Sequence, residues 1–257
     1  MRRLSVWTGR TVCLLLVLCL VGCGDGQADI VEAAHDELAA STTDTAEETQ
    51  APEESAAPEE PAQLEDSAEV ETVEELLGTT EDGVYTNEFL GIGCQLPADW
   101  TYYSEEEIME LNRTVLEVLS DLDSDTYDPE ALEDQELTDM FATGPNGADN
   151  VNVAISKLNM IAALALSEED IAEAAEENIL GMYEQMGVTG CTSEMSVYSA
   201  LGEDHPLLRI MMPLDDQVTM YQTAVIVKKG TYYGIITVTS PGEDISDEAL
   251  SWFYGLD

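Results

Sequence analysis

The chain has 257 residues, with 54 Asp or Glu against eight Lys or Arg, a formal net charge of −46. Nucleic-acid binding requires Lys and Arg to neutralise phosphates, so this balance argues against a DNA or RNA partner. Such a charge suits cationic ligands, divalent metal or plain solubility.

The amino terminus is the exception to that acidity. Arg2, Arg3 and Arg10 flank or precede an apolar run of ten residues, Val12 to Val21. A helix needs roughly 20 residues to cross a hydrocarbon layer about 30 Å thick, so the run does not span a bilayer. Its length and basic flank match the apolar region of a secretory signal. The run ends in Leu20-Val21-Gly22-Cys23, which resembles the lipobox of bacterial lipoproteins. That resemblance implies a signal peptide over residues 1–22, cut before Cys23, and a diacylglyceryl group on the Cys23 thiol. Cys19 fits less well, because Leu18 before it is too bulky for that pocket. Two acyl chains on one cysteine give stable anchoring. The expected location is therefore the extracytoplasmic face of the cell membrane, through a lipid anchor. The alternative is an ordinary secreted protein in which Cys23 is incidental.

Residues 23–82 follow as an acidic tether. From Gly24 to Asp82 there are 20 Asp or Glu, no Lys or Arg, and no aromatic residue. Low hydrophobicity with high net charge buries too little apolar surface to offset the entropy of ordering, so disorder is expected. Pro52, Pro58 and Pro61 favour extended backbone. Ile30 to Ala40 and Val70 to Leu77 have helical spacing but are too short to hold as isolated helices. A flexible chain of this length spans roughly 45 Å, and like charges stretch it further. The favoured reading is a spacer, with a docking tail for a basic partner as the alternative. His35 has no second metal ligand beside it.

Residues 83–257 carry 34 acidic residues and five basic ones, and are long enough for one domain with a sizeable core. Gly83 to Tyr85 and Gly91 to Leu96 read as two short strands about a turn at Asn87-Glu88. Ser104-Glu-Glu-Glu107 is a capping box that opens a helix to about Leu119. The spacing of Leu132, Leu137 and Met140 predicts a second helix from Pro129 to about Phe141. Val151, Val153 and Ile155 alternate with Asn152 and Ala154, the pattern of a half-buried strand. Ser167-Glu-Glu-Asp170 caps another helix, which ends at Gly187. A meander follows: Met195 to Leu201, Leu207 to Met212, Val218 to Val227 and Tyr232 to Thr239, joined by turn residues such as Lys229-Gly230. A last helix starts near Ser246 and carries Ala249, Leu250, Trp252 and Phe253. The fold class is α+β, an antiparallel sheet covered by helices.

Cys94 and Cys191 are the domain's two cysteines. Outside the cytoplasm an even pair reads as a disulfide, which by loop-closure entropy stabilises by up to about 4–5 kcal/mol. Two free buried thiols are the alternative.

Tyr85-Thr-Asn-Glu-Phe-Leu-Gly-Ile-Gly-Cys-Gln-Leu-Pro-Ala-Asp-Trp100, with the capped helix after it, resembles the start of a PsbP-like domain. Gly230-Thr-Tyr-Tyr-Gly-Ile-Ile-Thr-Val-Thr-Ser240, with a short aromatic-bearing helix after it, resembles the end of one. The resemblance implies an antiparallel sheet between helical layers. It implies little about activity, since characterised members act by binding partners, and it transfers no functional residue.

The chain lacks a Gly-x-Ser-x-Gly elbow, a phosphate-cradling glycine loop and a His-Glu-x-x-His pair. His205 is the domain's single histidine and reads as a solvated turn residue. Asp121-Leu-Asp123-Ser-Asp125 sets alternate carboxylates as a calcium loop does, but Thr126 and Leu132 stand where an EF-hand needs Gly and Glu. Met182, Met186, Met195, Met211, Met212 and Met220 fall at core spacings. The expectation is a non-catalytic binding or accessory module that needs no cofactor, with an unknown protein or cationic partner. A calcium-linked surface protein using Asp121, Asp123 and Asp125 is the first alternative, and a carboxylate hydrolase the second.

Overall fold

The computed structural model describes residues 75–122, 136–214 and 217–256. The strands in chain order begin with β1 (Thr79–Glu81), β2 (Val84–Asn87), β3 (Ile92–Gln95) and β4 (Thr101–Tyr102), followed by helix α1 (Glu105–Leu122). Next come β5 (Glu136–Thr143), β6 (Asn150–Lys157), α2 (Met160–Ala165) and α3 (Glu168–Gln185). The chain closes with β7 (Thr192–Tyr198), β8 (His205–Pro213), β9 (Thr219–Lys229), β10 (Tyr232–Pro241), α4 (Ser246–Leu250) and β11 (Phe253–Gly255). Seven strands form one antiparallel sheet in the order β4-β5-β6-β10-β9-β8-β7. A second, four-stranded sheet has the order β1-β2-β3-β11. This is the expected α+β class, and β7 to β10 are the expected meander.

Local chemistry explains why the elements begin where they do. Ser104 and Glu107 exchange hydrogen bonds at the start of α1, and Ser167 and Asp170 form a full capping box at the start of α3. Asp82 (φ 52) and Gly83 (φ 78) both lie in the left-handed region, as a two-residue type I′ hairpin turn requires. That turn pairs β1 with β2, so the sheet starts at Thr79, ahead of the expected boundary at Gly83. Leu76 is buried beneath it.

Two expected helices are corrected. Glu136 to Phe141 lies in strand β5, and residues 129–135 of that predicted helix lie outside the described residues. The strand buries both faces, with Met140 and Ala142 in one core and Phe141 in another, so no simple alternation marks it. A β-bulge between Thr138 and Met140 also breaks its period. Helix α4 ends at Leu250, and Phe253 belongs to β11, where it pairs with Cys94 of β3.

The seven-stranded sheet has a layer on each face. On one side Leu208, Ile210, Ala224, Ile226 and Ile235 pack against Ile171, Ala175 and Ile179 of α3. On the other, Val151, Val153, Val225, Ile236 and Val238 meet Tyr85, Ile92 and Cys94 of the small sheet and Leu250 of α4. Each fully buried Ile or Leu contributes about 1.5–3 kcal/mol relative to exposure. Close approach of the two sheets depends on Gly234, where an added Cβ would lie 2.5 Å from Leu90 Cδ1.

Gly234→Ala is therefore expected to cost about 1–3 kcal/mol by overpacking. The cost should shrink in a Leu90→Ala background, as read from urea unfolding midpoints of the two single variants and the double.

Candidate functional site

Strand β6 places Val151, Val153 and Ile155 on one face and Asn150, Asn152, Ala154 and Ser156 on the other. Such alternation ordinarily puts the polar face in water. Here both faces are inside: Asn150 and Asn152 are as buried as the valines. The reason is position. β6 and its neighbour β10 are central strands, covered by the small sheet and α4 on one side. On the other side α1 packs on β5, and α3 packs on β8 and β9, so β6 and β10 run between the two helices.

The register assembles the polar residues into a tile. Asn152 stands opposite Thr237 and Asn150 opposite Thr239. Asn150 Oδ1, both polar atoms of the Asn152 amide, Thr237 Oγ1 and Thr239 Oγ1 are buried without a hydrogen-bond partner. Ser156 Oγ, farther along β6, is in the same condition. The margins of the tile differ from its centre. On β5, Thr138 Oγ1 donates to Asn112 Oδ1 of α1 at 2.8 Å. On β9, Gln222, opposite Thr239, accepts at Oε1 from Tyr183 of α3 at 3.0 Å. The helices thus satisfy the flanking strands and leave the two central ones unpaired.

The cost decides how to read this. A buried donor or acceptor left unpaired costs about 1–3 kcal/mol. Buried polar groups without a protein partner are ordinarily satisfied by ordered water or another bound group. The tile holds no ionisable side chain.

Two other buried polar clusters are internally complete. Asp139, the bulged residue of β5, accepts from Gly78 N at 2.8 Å, Tyr85 Oη at 2.5 Å and Asn87 Nδ2 at 2.6 Å. Burial raises its pKa above the usual carboxylate range, and the three donors act against that rise. The cluster clamps β1 and β2 to the large sheet. His205 is buried, contrary to the solvated reading: its Nδ1 lies 3.0 Å from Glu168 Oε2. The other oxygen of Glu168 accepts from Lys228 N at 2.6 Å, and Lys228 Nζ caps the end of α2 through Ala163 O and Leu166 O.

The residues singled out from the sequence fare unequally. Cys23 and the tether up to residue 74 lie outside the described residues, as do Asp123 and Asp125. Asp121 falls in the last turn of α1. Among the described residues, no group of three or more His, Cys, Asp or Glu is placed to hold a metal ion, and no helix is long and apolar enough to cross a membrane. The Cys94–Cys191 pair is corrected: both are free thiols. Cys94 belongs to the core under the small sheet, whereas Cys191 packs against the core under α3, so the large sheet separates them. Burial pushes the Cys94 thiol up to about 12 and also raises Cys191. Met182, Met212 and Met220 fill the core under α3, with Met186 and Met195 packed against it, but Met211 is exposed.

No family model matches the chain, and no curated protein matches it. Among solved structures, the solution structure of cyanobacterial PsbP (CyanoP) from Synechocystis sp. PCC 6803 is similar at a TM-score of 0.41 and 12% identity. The match covers 67% of this chain and 91% of that one. A likeness at this level says nothing of activity or partners.

Two measurements follow. Without reductant, iodoacetamide should label Cys191 in the native protein and both Cys191 and Cys94 after denaturation, read by peptide mass spectrometry; a Cys94–Cys191 cross-linked peptide would contradict the separation. Asp139→Ala should destabilise by at least about 2 kcal/mol, because it orphans buried donors. The sign with pH is also set. The folded Asp139 carboxyl keeps its proton to higher pH than the unfolded one, whose pKa is about 3.9. Its contribution is fully present below that value and falls as pH rises through the folded one. The stability difference between wild type and Asp139→Asn should therefore shift toward the variant over that interval in denaturant titrations.

Proposed function

We propose that the chain is a lipoprotein anchored through Cys23 at the outer face of the cell membrane, and that its folded domain is a non-catalytic binding module. The basic start, the ten-residue apolar run and Leu20-Val21-Gly22-Cys23 support the anchor. The 20 acidic residues of the following stretch support a spacer that anionic head groups repel. The observation that supports the binding reading is the uncharged tile of Asn150, Asn152, Thr237 and Thr239, whose buried polar atoms the fold leaves without a protein partner. Reactive groups are placed elsewhere. His205 is engaged by Glu168, and Cys94 sits in the other layer with a thiol that stays protonated at neutral pH.

The anchor is tested by metabolic labelling with a palmitate analogue in cells expressing wild type or Cys23→Ser. The wild-type chain should take up label and sediment with membranes. Cys23→Ser should lose the label and the cleavage of its signal. Equal membrane retention of a processed, unlabelled Cys23→Ser chain would overturn the proposal.

A further inference from the structure

The large sheet ends in β7, whose outer edge no strand of the described residues covers. We propose that this edge docks an extended segment of a partner protein carrying two consecutive basic residues, which joins the seven-stranded sheet as a further strand. Such docking gives the binding-module reading a partner and rests on it, at a site separated from β10 of the tile by β9 and β8.

Three observations point there. The first is backbone left open. A strand at a sheet margin presents unpaired N–H and C=O groups at alternate residues, and folds blunt such margins by shortness, charge, proline or a bulge. The other margins among the described residues are short: β4 has two residues, and β1 and β11 have three each. β7 has seven, Thr-Ser-Glu-Met-Ser-Val-Tyr, in unbroken register with β8 and without Lys or Pro. The second is apolar surface at that margin. Val197 is 64% exposed and Met211 of β8 is 48% exposed. They stand on opposite faces, because Met211 pairs with Thr192, whose side chain points away from that of Val197. A strand laid along β7 places its alternating side chains beside both. The third is charge. Glu194 is exposed and is the one charged residue of β7. Arg209, opposite it on β8, is engaged by Asp247 and Asp244. On the other face Ser193 Oγ donates to Glu176 Oε1 of α3. Adjacent residues of β7 thus set one carboxylate on each face, and two neighbouring Lys or Arg of an incoming strand meet both. Opposite charges across strands stabilise, and like charges repel. A second copy of this chain is a poorer occupant for that reason, because its β7 brings Glu194 and no cation.

The test titrates the full chain into a fluorescently labelled peptide, acetyl-Thr-Val-Lys-Lys-Val-Thr-Val-amide, and reads anisotropy. Two controls accompany it, one with Glu-Glu in place of Lys-Lys and one with the Lys-Lys peptide N-methylated at every amide. The Lys-Lys peptide should bind saturably and slow hydrogen exchange at alternate amides of β7, those that face outward in the free chain. Both controls should fail. Val197→Lys, which puts a charge on the open edge, should abolish binding with Tm within about 2 °C of wild type. Glu194→Gln should weaken binding about two- to fivefold. Equal binding of the N-methylated peptide would show attraction without backbone pairing, and equal binding of the Glu-Glu peptide would show no selection of cations; either overturns the proposal. Binding untouched by Val197→Lys would place the peptide elsewhere and overturn it too. A free chain that sediments as a dimer, with the outward β7 amides already slow, would make the occupant a second copy and contradict it. Failure of every peptide to bind the folded chain would overturn the docking edge alone and leave the binding-module reading, which stands on the tile, in place.

Discussion

The structure depends on burial of both faces of its central strands. Once β6 and β10 lie between a helical layer and a second sheet, the side chains from Asn150 to Ser156 and from Tyr233 to Ser240 are inside, whatever their polarity. On the small-sheet side this is simple, because Val151, Val153, Ile236 and Val238 bury apolar surface. On the helical side the same strands carry amides and hydroxyls. A chain under selection for stability alone would place Val or Leu there, since apolar groups of similar shape cost nothing in lost hydrogen bonds. Asn and Thr there carry polar atoms to which the fold gives no protein partner, where an apolar side chain would leave none.

The surrounding parts make that arrangement rigid. Gly234 lets Leu90 bring the small sheet into contact with β10, and Asp139 ties the β1–β2 hairpin to β5 through three hydrogen bonds. On the opposite face, Asn112 and Tyr183 fasten α1 and α3 to the strands on either side of the tile. Each of these contacts joins residues distant in sequence. The layers are thus fixed relative to one another by pairings that only the completed fold contains.

How much the sequence disclosed follows the range of the interaction involved. Caps are local, so Ser104 with Glu107 and Ser167 with Asp170 were legible and mark the true starts of α1 and α3. The meander was legible because β-branched runs alternate with turn residues, and Gly230 (φ 61) closes the β9–β10 hairpin as expected. Asp82-Gly83 was a strong hairpin signal, but it read as a domain edge because acidic residues crowd the chain before it. Strand β5 escaped because Leu137, Met140 and Phe141 repeat at helical spacing while a bulge at Asp139 hides the period of two. Phe253 reads naturally as the end of a helix, and only pairing with distant β3 makes it a strand. The tile was half visible. Alternation of Asn with Val showed which side chains share a face, but what covers that face is a property of layers, not of spacing. The separation of Cys94 from Cys191 by an intervening sheet was invisible for the same reason.

Exchange of the Asn152 side-chain amide protons with water, followed by NMR on the full chain, tests burial of both faces most directly. Exchange as slow as that of the β6 and β10 backbone amides is predicted, because water reaches Asn152 only when the layers part. Exchange at the rate of a surface asparagine would contradict it, and would show that the polar face of the central strands lies open to solvent.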